Sequence, residues 1–171
     1  MKGLNLRMVT RGGLALALGV VLSLIKIWQM PQGGSVTLLS MLPVIYFAYT
    51  EGLLPGILVG VLYGLVQYLI EPYFAHPLQF LLDYPVAFGA LGLAGLFANK
   101  SPYPGVVLAI LGRFLSHLVS GAVFFASYAP KGQNPWVYSA IYNGSYLLPE
   151  LFLTLGAVFF LKIFERLRKV V

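Results

Sequence analysis

The chain has 171 residues, of which 59% are hydrophobic and only 9% charged, and it carries a net charge of +6 with a mean hydropathy of +0.86. Too few polar side chains are present to cover a soluble globule, so the sequence reads as an integral membrane protein with room, at about 20 residues per spanning helix, for roughly six crossings and no separate soluble domain. Zero cysteines exclude disulfides, thiolate metal sites and cysteine catalysis, and clustering of basic residues at the two ends argues for a topology signal rather than a nucleic-acid surface.

Apolar runs at about 12–28, 36–49, 53–70, 78–98, 106–126 and 141–164 predict an all-α, six-transmembrane-helix bundle that forms one membrane domain over 1–171. The first run follows Lys2, Arg7 and Arg11 in the manner of a signal peptide. Lys26, Trp28 and Gln29 come next instead of a small-residue cleavage site, so it is expected to be a retained helix. Gly13 and Ala17, four apart, give that helix a small face suited to close packing or to docking a partner helix.

The second run is short and is expected to be tilted, broken or partly re-entrant. Gly56, Gly60 and Gly64 on the third run and Gly89, Gly92 and Gly95 on the fourth mark close helix approach within the bundle. Segments 31–34 and 130–135 are rich in Pro and Gly and read as turns.

An even number of crossings puts both termini on one side, and both are basic, with Lys162, Arg166, Arg168 and Lys169 at the far end. The positive-inside rule therefore predicts both termini in the cytoplasm, with loops 50–52 and 99–105 on that face. Loops 29–35, 71–77 and 127–138 then face outward, and Trp28, Tyr73, His76, Gln79, Tyr128 and Trp136 gather there. Any single aromatic of this kind fits an interfacial belt; the whole set points to a ligand-facing side.

Four polar residues stand in or beside the apolar runs: Asp83, Arg113, His117 and Asn143. A central charge costs roughly 2.5–3.5 kcal/mol on insertion scales, which marks such residues as functional or paired. Asp83, near the start of the fourth run, either complements the positive helix end or faces a pocket for a cationic ligand. Arg113 and His117 share a helix face one turn apart, and Asp83 is the counter-ion expected for Arg113. His117 offers a ring face and a polar edge together.

Tyr138, Tyr142 and Tyr146 recur at four-residue spacing, a pattern usual for packing, whereas the Asn143 amide among them is suited to reading a heterocycle edge. Glu150 is a further buried-acid candidate. Catalytic alternatives are thin: there is no HExxH pair, Gly-x-Ser-x-Gly elbow or Walker loop. Ser116 adjoins His117 and so does not face it as a triad would. An intramembrane enzyme using Asp83 and His117 as acid and base is the competing class. No cofactor or metal site is implied, and uptake against a gradient would require a partner ATPase or ion coupling.

Five blocks carry a resemblance: Met30-Pro-Gln-Gly-Gly-Ser-Val36, Leu81-Leu-Asp-Tyr84 followed by Val86-Ala-Phe88, His117-Leu-Val-Ser-Gly-Ala-Val-Phe-Phe125, Tyr128-Ala-Pro-Lys-Gly132 and Trp136-Val-Tyr-Ser-Ala-Ile-Tyr-Asn143. The chain resembles, from Arg7 to about Phe160, the thiamine-specific substrate-binding (S) component of energy-coupling factor transporters.

The resemblance implies a six-helix protein that captures thiamine from outside and associates with a shared transmembrane subunit and two ATPases. It places substrate-binding roles on Asp83, Tyr84, Arg113, His117, Phe125, Tyr138, Asn143, Tyr63 and Tyr73, and partner docking on Gly13 and Ala17. An S component for another vitamin or heterocycle is the nearest alternative. Asp83 stands where some relatives have Glu, Arg113 where some have Lys and Phe125 where some have Trp. An acid that some relatives carry near the start of the second helix is replaced here by Gly34, Ser35, Val36 and Thr37. Because thiazolium is cationic, Arg113 is expected to aim Asp83 rather than to touch the ring.

Overall fold

The computed structural model describes residues 6–98 and 100–161. The basic cluster from Lys162 to Lys169 therefore lies outside the described residues. Six helices of ten residues or more run among them: α1 (Leu6–Ser23), α2 (Leu42–Glu51), α3 (Leu53–Ile70), α4 (Pro77–Phe97), α5 (Pro102–Phe124) and α6 (Pro135–Leu161). Four of these, α1, α3, α4 and α5, are long and apolar enough to cross a bilayer. Their outer faces are hydrocarbon: Leu54, Leu58 and Leu62, one turn apart on α3, are each more than half exposed. Buried polar residues such as Gln79, Asn143 and Glu150 sit inside. Apolar outside and polar within is the arrangement of a bilayer-embedded bundle.

The first two predicted runs need correction. α1 stops at Ser23, not Trp28, and Lys26–Gln29 becomes strand β1, paired antiparallel with β2 (Ser35–Thr37) in a short hairpin. The second run is split: its first residues belong to β2, Leu39 takes a left-handed φ of 60°, and helix resumes only at Leu42. A β-branched or alternating segment such as Lys-Ile-Trp-Gln or Ser-Val-Thr suits a pleated strand, and a left-handed leucine breaks any helix that reaches it.

At ten residues, α2 is about 15 Å long, half of what a span needs. It is almost wholly buried, with Val44, Ile45 and Ala48 at 0% exposure, and it brings the chain back from the hairpin to the Arg11 end of α1. Gly52, at φ 101°, turns the chain directly from α2 into α3, a conformation that favours glycine. Arg11 on α1 closes that end of the bundle through a 2.8 Å ion pair to Glu51.

The third predicted run coincides with α3, and the glycine face behaves as expected. A side chain on Gly60 would run into the Phe88 carbonyl, so α3 and α4 pack backbone to backbone. α4 is not a regular helix. Pro85 has no N–H to donate, and its ring would strike the carbonyl four residues back. The chain relieves this by widening to a π-helical turn over Leu82–Val86, then tightening to 3-10 geometry over Ala90–Phe97. The Leu82 carbonyl in that wide turn accepts from the Ala87 N–H five residues on and from Ser116 Oγ of α5 at 2.7 Å.

α6 begins at Pro135, six residues before the predicted start. Asn134 Oδ1 accepts from the Trp136 N–H at 2.8 Å, and proline occupies the first turn, where its missing N–H is harmless. α5 and α6 pack along their length, and Ser139 Oγ donates to the Leu118 carbonyl at 2.9 Å to tie them beside the cavity described next.

Candidate functional site

A cavity of about 620 Å³ opens between the hairpin, the α3–α4 loop, α4, α5 and α6, within the size range of small-molecule sites. Its acid is Asp83. The π-helical turn carries Asp83 at the cavity wall, with its side chain 17% exposed. Asp83 Oδ2 accepts from Gln79 Nε2 at 2.7 Å, one helical turn earlier, and Oδ1 lies 3.0 Å from His117 Nδ1. Gln79 is itself fixed, because its Oε1 accepts from the Ala75 N–H at 2.9 Å.

Arg113 does not pair with Asp83, contrary to the expectation from charge. Its Nε donates to His117 Nε2 at 3.3 Å, and its guanidinium lies over the Phe88 ring, 4.2 Å from the centroid. No ion pair joins Arg113 and Asp83 among the described residues. An arginine nitrogen only donates, so His117 Nε2 accepts and Nδ1 carries the proton to Asp83. His117 is thereby held as a neutral ring with both nitrogens used by the protein. It presents its face and not, as the sequence suggested, a free donor. Asp83 is held in turn by two neutral donors, which leaves its negative charge uncancelled and turned toward the cavity.

The walls are aromatic. Tyr138, Tyr142 and Tyr146 all line the cavity, with Tyr138 stacked on Tyr142 at 6.1 Å and Tyr142 edge-on to Tyr146 at 6.0 Å. What the sequence presents as a packing stripe is thus one wall of the site. Phe125 and Tyr73 face each other at 5.5 Å. A hydrogen bond with Tyr128, and to a lesser degree desolvation, holds the Tyr73 phenol above its ordinary pKa. Tyr84 Oη donates to the Glu71 carbonyl at 2.9 Å and accepts from the Tyr73 N–H at 3.1 Å, which pins the α3–α4 loop to α4.

Asn143 lines the cavity, but its amide is largely occupied by the protein. Nδ2 donates to the Ser139 carbonyl at 2.9 Å and to Ser139 Oγ at 3.2 Å, while Oδ1 accepts from Tyr146 Oη at 2.7 Å. One lone pair of Oδ1 remains for a ligand. Tyr63 is not brought to the cavity at all. It is fully buried in the core, with its hydroxyl donating to the Gly19 carbonyl at 3.1 Å. Of the nine residues named as substrate-binding, Asp83, Tyr84, Arg113, His117, Phe125, Tyr138, Asn143 and Tyr73 reach the cavity.

The hairpin covers this space. Its tip turns through Pro31-Gln32-Gly33, with the Met30 N–H bonded to the Gly34 carbonyl at 2.6 Å. Tyr142 Oη accepts from the backbone N–H groups of Gln32 and Gly34, each at 3.2 Å. At the rim, Lys26 and Glu71 form an ion pair. Sequence reasoning missed Gln67, Glu71 and Phe88 as lining residues and Gln79 as the partner of Asp83. Only Gln79 left a signal, its four-residue spacing from Asp83.

Four other residues singled out from the sequence lie elsewhere. His76 Nδ1 accepts from the Leu78 N–H as the cap of α4, and its ring stacks on Phe124 at 5.1 Å. Ser116 Oγ is committed to the Leu82 carbonyl and so is not placed as a nucleophile for the Asp83 and His117 pair. Gly13 and Ala17 are both exposed on the outer face of α1.

Comparison with known proteins agrees with this architecture. The family model described as "Thiamine transporter protein" matches residues 9–169. The chain is 41% identical over 138 residues to the thiamine transporter ThiT of Bacillus subtilis (strain 168), covering 71% of each. It is 31% identical over 138 residues to the thiamine transporter ThiT of Lacticaseibacillus paracasei, covering 70% of this chain and 69% of that one. A solved structure of ThiT from Listeria monocytogenes superposes with a TM-score of 0.78 at 22% identity, over 87% of this chain and 89% of the other.

Proposed function

The chain belongs to the thiamine transporter protein family, and from that premise we propose that it captures thiamine in the cavity bounded by Asp83, His117 and the tyrosines of α6, as a multi-pass protein of the bacterial cell membrane. One observation carries the reading: the Asp83 carboxylate is held by neutral donors, Gln79 and His117, among aromatic walls. Thiamine is a cationic thiazolium joined to an aminopyrimidine, and it asks for that combination. A cation against an aromatic face contributes about 2 kcal/mol when desolvated. A charge-assisted hydrogen bond from the aminopyrimidine adds about 1.5–3 kcal/mol.

Within this proposal Asp83 reads the ligand's positive side, and Tyr138, Phe125 and Tyr73 supply ring faces. Tyr84 braces the loop, and the spare lone pair of Asn143 accepts from the ligand. His117 offers its ring face and aims Asp83. The hairpin closes over the bound vitamin. The same proposal includes coupling to an energy-coupling factor: a transmembrane subunit and two ATPases supply the energy, the chain itself acts as a transporter subunit rather than an enzyme, and both termini face the cytoplasm. Gly13 and Ala17, outward on α1, are the docking face.

Calorimetric titration of the purified protein with thiamine, thiamine monophosphate and an unrelated vitamin tests the reading. Saturable heat with thiamine alone or with its phosphate is expected. Binding only of the unrelated vitamin would keep the architecture and discard the substrate.

A further inference from the structure

Beneath the hairpin, sharing Arg113, Phe88 and Gln67 with the wall of the main cavity, lies a second chamber of about 50 Å³. Its floor is Glu150, which is 2% exposed. Glu150 Oε1 is fully engaged at the base of the hairpin, accepting from the Thr37 N–H at 2.5 Å and from Thr37 Oγ1 at 2.6 Å. Glu150 Oε2 is buried without a hydrogen-bond partner among the described residues. A dry carboxylate oxygen left so is strongly penalised, and Glu150 lines a polar space large enough for water.

The charges around the two cavities can be paired off. Lys26 and Glu71 neutralise each other at the rim. His117 is neutral by its hydrogen bonds, and among the described residues Asp83 is bonded only to His117 and Gln79. That leaves the Arg113 cation, whose sole hydrogen-bonded partner among these is His117, and the Glu150 carboxylate. Both line the small chamber, yet no ion pair joins them within 4.0 Å.

We infer that Glu150 is the counter-ion of Arg113, acting across a hydrated chamber, and that it thereby lets a cavity walled by an arginine accept a cationic ligand. Resting as it does on the thiamine reading, this makes Glu150 a positioning residue: it touches no ligand, but it anchors the hairpin through Thr37 and offsets the Arg113 charge, which opposes thiazolium. A resident metal cation is disfavoured there because Arg113 and Lys26 both reach the chamber. With Arg113 offset, the remaining uncompensated charge facing the cavity is Asp83, complementary in sign and number to a monocation.

The test compares thiamine with its uncharged analogue, in which carbon replaces the thiazolium nitrogen, by calorimetry on the full-length protein. Glu150→Gln keeps a carbonyl oxygen for Thr37 and removes the charge, with an amide nitrogen in place of Oε2. It is expected to lower the ratio of thiamine affinity to analogue affinity about tenfold. Equal weakening of both ligands, or no change, overturns the inference. Should that variant not fold, Arg113→Gln carries the test in the opposite sense: Glu150 is then unbalanced, and the ratio is expected to rise about tenfold. An unchanged or falling ratio overturns it. Failure of the unaltered protein to bind thiamine strikes the functional reading and this inference together; binding with an unaltered ratio in the variants strikes this inference alone.

Discussion

Asp83 and His117 meet across α4 and α5 at 3.0 Å, and the proton between them belongs to His117 because Arg113 occupies the other ring nitrogen as a donor. The carboxyl at the heart of the cavity is therefore an acceptor at both oxygens, oriented by neutral donors and placed to oppose a cation.

Asp83→Asn tests that charge. Asparagine fits the same space and still accepts from His117, so thermal unfolding in detergent should shift little. The affinity for thiamine should fall about 10- to 100-fold, the equivalent of losing one charge-assisted interaction. Undiminished binding measured by calorimetry would remove Asp83 from the ligand's surroundings.

The hairpin should act through Tyr142. Its hydroxyl accepts from the Gln32 and Gly34 N–H groups and so latches the turn to α6 beside the Ser145 Oγ contact with Met30 Sδ. Tyr142→Phe keeps the ring stacked on Tyr138 and deletes only that acceptor. Each such bond contributes about 1 kcal/mol net. Thiamine dissociation followed by stopped-flow should accelerate about fivefold or more, with association little changed. Unaltered dissociation would mean that the turn is held by other contacts.

Gly34 sets how close that turn comes. A Cβ there would lie 2.5 Å from Tyr146 Cε1, against the aromatic wall itself. Gly34→Val is expected to lift the hairpin and weaken thiamine by about tenfold, while the melting temperature stays near that of the parent because the bundle lies beneath. A large loss of stability instead would show that the hairpin belongs to the folding core.

How much of this is written in the sequence differs between bundle and site. The third run coincides with α3 because Gly52 and Glu71 bracket an unbroken apolar stretch. The hairpin is hidden because its strands, four and three residues long, are continuous in hydropathy with their neighbours, and no composition rule announces a left-handed Leu39. Asp83, Arg113, His117 and Asn143 stand out as polar residues among apolar ones. Their pairing does not. Charge alone joins Asp83 to Arg113, whereas the wide turn imposed by Pro85 brings Asp83 to His117, and Phe88 takes the arginine's flat face. Tyr138, Tyr142 and Tyr146 are visible as a stripe, but spacing cannot distinguish a face packed on a helix from one lining a cavity.

The outer face of α1 supplies the remaining prediction. α1 turns Met8, Gly12, Ala15 and Gly19 inward, and leaves Gly13 and Ala17 exposed beside Leu14 and Leu18. A Cβ on Gly13 would meet nothing within 4 Å, so bulk is tolerated there by the fold itself. A face this small suits a partner helix that approaches closely, and filling it should harm assembly without touching the cavity. Ala17→Leu is therefore expected to leave thiamine affinity within about twofold, since no contact in the site is altered. Uptake of labelled thiamine by cells expressing the variant should drop by about tenfold or more, as expected when close helix approach is blocked. Equal loss of binding and uptake would reassign this face to the stability of the bundle; full uptake would move the docking surface elsewhere.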